Sequence, residues 1–154
     1  MSSTRKIVLA IGLFIAGLIL VNVSAEAQII LCACPVGCNG ITGTALADTI
    51  TGTPNCDCIN GLGGDDIIDG AGGNDFICGG DGNDNICGGT GNDKISGNAG
   101  NDIVDGCSGD DSVNGNDGDD IVDGGAGDDT LDGGPGADRC DGGTGVNALA
   151  NCNP

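Results

Sequence analysis

A single aliphatic residue recurs at every ninth position along most of this chain. From Ile50 to Leu149, each step of nine reaches an Ile, Val, Leu or Cys. The residues on either side are mostly polar, as in Asn85-Ile86-Cys87. An inward residue between two outward ones favours a short β-strand. The pattern therefore predicts short strands with one buried side chain each, repeated at a fixed spacing.

Glycine fills the spaces between these strands in the same register. When the aliphatic residue is counted as position 8, position 1 is Gly in all twelve repeats from Gly43 to Gly142, and position 4 is Gly in ten, from Gly64 to Gly145. Because Gly tolerates positive φ and close backbone approach, positions 1–4 are expected to form a tight turn. One such unit cannot bury its aliphatic residue alone, so two units should close one coil. Six coils stacked at about 4.8 Å would extend over roughly 29 Å, with parallel strands on two faces.

Position 6 of the repeat carries an acid. It is Asp in eleven repeats, from Asp48 to Asp138, and Asn147 in the twelfth, and a degenerate copy, CPVGCNGIT, precedes the series at residues 34–42. The motif G-G-x-G-x-D-x-U-x, with U aliphatic, resembles the hemolysin-type, or RTX, calcium-binding repeat over residues 43–150, and most closely over residues 61–141. This resemblance implies an all-β fold, a parallel β-roll (β-solenoid) of about six 18-residue coils. It also implies Ca²⁺ between the turns of neighbouring coils, held by position-6 carboxylates and turn carbonyls.

The calcium ligands that the resemblance implies are the position-6 aspartates of the nine best repeats. They are Asp66, Asp75, Asp84, Asp93, Asp102, Asp111, Asp120, Asp129 and Asp138. Carboxylates and carbonyls suit Ca²⁺, and the chain has no His for zinc or copper. Each pair of aspartates one coil apart, such as Asp66 and Asp84, should flank one ion, which gives about seven sites. The alternative is an acidic solvated face without specific ions, in which the glycines have no purpose.

Composition excludes several classes of protein. The 154 residues include 23 acidic and four basic ones, for a net charge of −19, and 33 glycines but only two aromatic residues. Such side chains are too small for a helical bundle or an ordinary sandwich core. An acidic disordered chain or a repeat fold neutralised by a ligand remains. Without a His base or an aromatic platform, the sequence predicts no enzyme and no catalytic residue, and no nucleic-acid partner is expected.

The N-terminal residues have the features of an export signal. Arg5 and Lys6 precede an apolar run at residues 7–21, and Ala25-Glu26-Ala27 offers a cleavage site. We predict a signal peptide helix at residues 1–27, an N-terminal cap at 28–42, the β-roll at 43–150 and a tail at 151–154. The mature chain then has 22 acids and two bases, a charge of −20, and is expected to be secreted without membrane contact. The alternative is a cell-surface protein anchored by an uncleaved N-terminal segment.

Ten cysteines follow the predicted cleavage site, and an even number in an exported chain favours disulfides. Their positions in the coil restrict the pairing, because only neighbouring Cα atoms can be bridged. The register predicts the bridges Cys38–Cys56, Cys58–Cys78, Cys87–Cys107 and Cys140–Cys152, and leaves Cys32 and Cys34 at the entry to the roll. The alternative is a mixture of bridges and free buried thiols.

Two further expectations concern behaviour in solution. Because stacked carboxylates repel and the aliphatic core is thin, the calcium-free chain should be largely disordered and fold cooperatively with Ca²⁺. Outward position 7 carries Ile67, Asn85, Ile103 and Ile121 on one face. Such a row indicates either a surface for adhesion to a cell-surface partner or for self-association, or no more than strand propensity. Ice binding fits less well, because the outward rows are not uniform in Thr or Asn.

Overall fold

The computed structural model describes residues 34–153, in which every regular element is a β-strand. The predicted signal peptide lies outside the described residues. In chain order the strands are β1 (Asn39–Thr42), β2 (Thr49–Thr51), β3 (Asp57–Gly63), β4 (Ile67–Asp69), β5 (Phe76–Asp81), β6 (Asn85–Thr90), β7 (Lys94–Ala99), β8 (Ile103–Ser108), β9 (Ser112–Asp117), β10 (Ile121–Asp123), β11 (Thr130–Asp132), β12 (Arg139–Asp141) and β13 (Ala148–Ala150). The same residues contain no helix with the length and hydrophobicity of a membrane span.

The strands alternate between two parallel sheets. Odd-numbered strands form a seven-stranded sheet in the order β1-β3-β5-β7-β9-β11-β13, here called sheet A, and even-numbered strands form the six-stranded sheet B. Pairing joins equivalent residues of successive coils, so that Ile95 lies between Ile77 and Val113. Each coil therefore gives one strand to each sheet. The predicted parallel β-solenoid of about six turns is confirmed.

The core is a double column of aliphatic side chains at position 8 of strands β2 to β11. Ten of them are at most 8% exposed: Ile50, Ile59, Ile68, Ile77, Ile86, Ile95, Val104, Val113, Val122 and Leu131. Burying one side chain of this size contributes about 1.5–3 kcal/mol. Branched aliphatic residues suit this position because they favour strands and pack well on a pleated surface.

Strands in the middle of the roll are longer than the three residues that the sequence predicts. β6 continues to Thr90, which still lies beside Ser108 of the next coil. The chain bends at position 2, which has positive φ in ten consecutive repeats, even where it is Ala71. Where position 9 is Asp or Asn, its side chain stabilises the bend, as when Asp105 Oδ1 accepts a 2.8 Å hydrogen bond from the N–H of Cys107. Pairing thus extends around the corner of the coil.

Disulfides link neighbouring coils in three of the predicted places. The bonded pairs are Cys38–Cys56, Cys87–Cys107 and Cys140–Cys152, with Cα–Cα distances of 4.7, 6.3 and 5.6 Å. No cysteine among residues 34–153 is free. Two of these bridges lie near the ends of the roll, where a solenoid frays most easily, and the third lies in its middle.

The predicted bridge between Cys58 and Cys78 is wrong. Cys58 is bonded to Cys34, with a Cα–Cα distance of 5.7 Å, and Cys78 is also disulfide-bonded. Cys78 lies beside Asn60, two residues further along the strand than Cys58. On neighbouring straight strands this offset separates Cα atoms by about 8 Å, which exceeds the ~7 Å that a disulfide spans. The segment before β1 therefore reaches the outer face of sheet A at Cys58.

Candidate metal centre

The nine aspartates predicted as calcium ligands lie at the corners of the coils, each directly before a strand. All are buried, and none is more than 3% exposed. They form two columns in which successive members are one coil apart. One column is Asp66, Asp84, Asp102, Asp120 and Asp138, and the other is Asp75, Asp93, Asp111 and Asp129. The structure therefore brings together the aspartates that the sequence pairs.

One carboxylate oxygen of each aspartate belongs to the backbone ladder. The N–H of Asp75 donates to Oδ1 of Asp93 at 2.8 Å, and the N–H of Asp93 donates to Oδ1 of Asp111 at the same distance. The other column has the same arrangement, for example from the N–H of Asp102 to Oδ1 of Asp120. Each side chain thus reaches back to the preceding coil and fixes the carboxylate in one orientation.

The second carboxylate oxygen has no such partner. Within the described part of the chain, Oδ2 is buried and accepts no hydrogen bond in all nine of these residues: Asp66, Asp75, Asp84, Asp93, Asp102, Asp111, Asp120, Asp129 and Asp138. Buried polar atoms are nearly always hydrogen-bonded, and an unpaired buried carboxylate is costly. A buried Oδ2 without a donor, repeated nine times in two columns, indicates that these oxygens bind an electropositive partner.

The glycine at position 1 makes the space beside this oxygen. A Cβ added at Gly88 would lie 2.5 Å from Oδ2 of Asp93 and 2.8 Å from the carbonyl oxygen of Gly106 on the next coil. At Gly106 the corresponding distances are 2.5 Å to Asp111 and 2.7 Å to Gly124. Carboxylate and carbonyl oxygens therefore converge on one place that only Gly leaves open, and these are the ligand types that Ca²⁺ takes.

The last repeat shows which kind of group this place accepts. Position 6 is Asn147 there, and its Oδ1 accepts the ladder hydrogen bond from the N–H of Asp129. Its Nδ2 donates to the carbonyl oxygen of Gly142 at position 1. An N–H donor thus occupies the location that Oδ2 has in the other repeats. The surroundings are rich in acceptors, so a carboxylate there needs a cation or a proton between the oxygens.

Burial and mutual repulsion act on the protonation of the columns. Burial raises the pKa of Asp93 and of Asp102 to about 7, only partly offset by the ladder hydrogen bond, and the neighbouring aspartates raise it further. The same causes raise the pKa of Asp84 and Asp111 to about 6. The ionised form of these carboxyls is therefore destabilised when no cation is bound. A divalent ion between them would offset both the burial of the charges and their mutual repulsion.

Two aspartates at the start of the roll are held differently. Oδ2 of Asp48 accepts hydrogen bonds from the N–H and the hydroxyl of Thr44, at 2.6 and 2.8 Å. Oδ2 of Asp57 accepts the same pair from Thr53, at 2.6 and 2.9 Å. Sequence reasoning missed these threonines, although Thr in place of Gly at position 2 distinguishes both repeats from the later ones.

No cluster of three Cys, Asp or Glu side chains within residues 34–153 could hold a metal by itself. A cation in the columns must therefore take part of its ligands from backbone carbonyls, as Ca²⁺ does and as softer transition metals do not. The residues present fit Ca²⁺ and supply neither imidazole nor free thiolate among the described residues.

Comparison with known families agrees with this geometry. The model of the RTX calcium-binding nonapeptide repeat matches four times, at residues 42–77, 57–86, 78–113 and 114–149, which together make up more than half of the chain. Curated proteins gave no match. The matched residues contain the aspartate columns and the glycines that leave space beside them. The chain therefore belongs to the family of RTX calcium-binding nonapeptide repeat proteins.

Proposed function

We propose that this protein is exported and that Ca²⁺ ions between neighbouring coils complete its fold. The observation that carries the proposal is the set of nine buried Oδ2 atoms without hydrogen-bond partners. In seven of the nine, from Asp66 to Asp120, Oδ2 faces a carbonyl oxygen of the next coil across the space left by a position-1 glycine. Because such a site exists only when the coils are stacked, the binding free energy of the metal is folding free energy.

The columns set the number of ions. A column of five aspartates has four intervals between successive members, and a column of four has three, so the two columns together offer seven interior sites. Seven Ca²⁺ ions would change the formal charge of the mature chain from −20 to about −6. Interior aspartates such as Asp102 take part in two sites, whereas Asp138, at the end of its column, takes part in one.

Export is supported by the cysteines and by the expected affinity. Four disulfides join residues within the described part of the chain, and such bonds persist in oxidising compartments. Extracellular calcium modules bind with dissociation constants of about 10⁻⁴–10⁻³ M, which external calcium satisfies. The protein would thus fold after it leaves the cell. A catalytic role forms no part of this proposal.

Calcium titration of the oxidised mature protein, residues 28–154, tests the proposal. After removal of metal, bound ions are counted by equilibrium dialysis while circular dichroism and small-angle scattering follow the fold. About seven ions and a cooperative gain of β-structure and compaction are expected. Mg²⁺ is the control, because it prefers a smaller octahedral site and retains its waters. A compact, protease-resistant protein that binds no ions in excess chelator would overturn the proposal.

Calcium-dependent adhesion or self-assembly is a second candidate function, favoured by one surface. On the outer face of sheet B, Ile67, Ile103 and Ile121 are 55%, 49% and 43% exposed, and the last two are paired across β8 and β10. Sedimentation velocity at increasing protein concentration, with and without Ca²⁺, separates the two functions. Assembly that requires calcium and disappears in Ile103→Thr/Ile121→Thr supports this candidate, and a monomer at all concentrations excludes self-assembly.

A further inference from the structure

We infer that the first coil of the roll closes without calcium and is the template on which the calcium-dependent coils are added. This inference rests on the proposed function, because it assigns the ions to the later coils only. The template comprises residues 34–60, with β1, β2 and the first half of β3. It differs from every later coil in how its two position-6 aspartates are satisfied.

Threonine takes the place of the cation in this coil. Asp57 is fully buried, yet both of its carboxylate oxygens are hydrogen-bonded, Oδ2 by Thr53 and Oδ1 by Nδ2 of Asn39 at 3.0 Å. Both oxygens of the Asp57 carboxylate thus have donors within the protein, whereas Oδ2 of Asp93 and of Asp102 is buried without a hydrogen-bond partner among the described residues.

The residues at position 9 and at the following position 2 distinguish the turns of the first two repeats from those of the later repeats. In the seven later repeats that follow an Asp or Asn at position 9, the N–H of position 2 donates to that side chain, for example from Ala71 to Asp69 at 2.9 Å. The residue at position 2 has positive φ in all ten later repeats. In the first two repeats, position 9 of the preceding unit is Thr and position 2 is Thr, in the sequence T-G-T at residues 42–44 and 51–53. A β-branched residue resists positive φ, and its N–H points instead to the aspartate.

Covalent bonds give the same coil a further advantage. Cys38–Cys56 and Cys34–Cys58 tie the start of β1 to the start of β3, and the N–H of Asn39 and the N–H of Gly43 complete the closure with hydrogen bonds to Cys56 and Asn60 at 2.9 and 2.8 Å. Disulfides allow segments of this size to remain ordered where a hydrophobic core alone is too small.

The C-terminal end lacks this combination. Asn147 is satisfied there, but Oδ2 of Asp138 in the same coil is buried without a hydrogen-bond partner among the described residues, and Leu149 is 48% exposed. Addition of coils therefore proceeds from the N-terminal side, where β3 offers a formed edge to β5 and Asp57 offers its N–H to Asp75 at 2.8 Å.

Hydrogen exchange with mass spectrometry on the oxidised mature protein tests this order. In chelator, amides of residues 39–60 should stay protected while those of β5–β12 exchange freely, and at low Ca²⁺ protection should spread first to β5 and β6. If calcium protects the whole roll but no segment is protected in chelator, or if protection begins at β11–β13, the template is wrong while the proposed function stands. If all coils are protected in chelator and calcium changes nothing, the proposed function and this inference both fail.

Thr53→Val tests the chemical cause, because it removes the hydroxyl and retains the shape. A hydrogen bond to a charged group is worth enough for exchange of residues 57–60 in chelator to rise at least about tenfold. Thr49→Val, on the exposed face of β2, is the matched control and should leave exchange unchanged. Equal effects of the two variants would overturn the role of Thr53.

Discussion

The N–H of Asp93 donates a 2.8 Å hydrogen bond to Oδ1 of Asp111 one coil away, while Oδ2 of Asp111 is buried and accepts no hydrogen bond from the described residues. The two oxygens of one carboxylate thus have different structural roles. The first sets the register between coils, and the second faces the space where a cation completes the turn. Because both roles fall on one residue, calcium binding and coil stacking are coupled.

Replacing a column aspartate by asparagine should remove calcium according to its place in the column. Asp102→Asn is expected to lower the number of bound ions by two, because Asp102 lies between two sites, and Asp138→Asn by one. The variant amide resembles Asn147, so the ladder hydrogen bond to the preceding coil should be retained. Equilibrium dialysis measures the stoichiometry.

Asp110→Asn is the matched control, since it removes the same charge at an exposed position 5 that is Asn in the four preceding repeats. Its stoichiometry should equal that of the unaltered protein. Equal losses in Asp102→Asn and Asp110→Asn would show that net charge, rather than the columns, governs binding.

Acid should partly replace calcium as a stabiliser of the roll. The pKa of Asp93 and Asp102 is raised to about 7 in the calcium-free fold, so the folded chain retains protons that the unfolded chain has released. The stability that these two protonated carboxyls contribute to the calcium-free fold is therefore fully present below about pH 4 and is lost as the pH rises toward about 7. Metal-stripped protein should accordingly gain β-structure, measured by circular dichroism, when the pH is lowered from about 8 to about 5.

Calcium affinity should have the opposite dependence, because protons compete with the ion for the same carboxylates. Its decrease as the pH falls through about 7 to 6 can be followed by titration at fixed ionic strength. Asp93→Asn/Asp102→Asn should weaken both dependences. A calcium-free protein equally disordered at both pH values would contradict the burial of these carboxyls in the calcium-free fold.

Gly88→Ala should weaken calcium binding and destabilise the calcium-loaded roll by about 1–3 kcal/mol. The added methyl group would lie 2.5 Å from Oδ2 of Asp93, 2.8 Å from the carbonyl of Gly106 and 2.9 Å from Cδ1 of Ile95. It thus takes the place between the two oxygen ligands. Urea denaturation at saturating calcium measures the loss.

Gly63→Ala is the control for Gly88→Ala, since its nearest contact would be an ordinary 3.4 Å to the carbonyl of Asp81. Position 3 is already Ala at Ala99 and Ala126 in later repeats. The free energy of unfolding of Gly63→Ala in urea should change little. A decrease as large as that of Gly88→Ala would show that position 1 has no special role.

The nine-residue period was enough to predict the coil, the two sheets and the buried position 8, because in a solenoid every coil repeats one local environment. The stacking of position-6 aspartates one coil apart could be inferred in the same way. Their raised pKa values could not, because these depend on how many coils cover each carboxyl. Asp93 and Asp102, in the middle of the roll, have pKa values near 7, whereas Asp84 and Asp111 have values near 6.

Departures from the repeat were harder to predict than the repeat itself. The partner of Cys58 could not be found from the register, because Cys34 precedes the regular strands and reaches it from outside the roll. The role of Thr53 was hidden for a similar reason. A consensus treats Thr at position 2 as a poor match, whereas the structure shows it bonded to Asp57.

Breaking the central disulfide should destabilise the roll on both sides of it. Cys87 and Cys107 are 20 residues apart, and loss of a crosslink of that span costs about 3 kcal/mol. In Cys87→Ser/Cys107→Ser, faster hydrogen exchange should extend from β6 and β8 to the coils on either side, and the calcium midpoint of folding should rise. Cys140→Ser/Cys152→Ser, which opens a bridge spanning 12 residues at the end, should affect only β12 and β13. If both variants frayed the C-terminal end alone, the central bridge would have no part in holding neighbouring coils together.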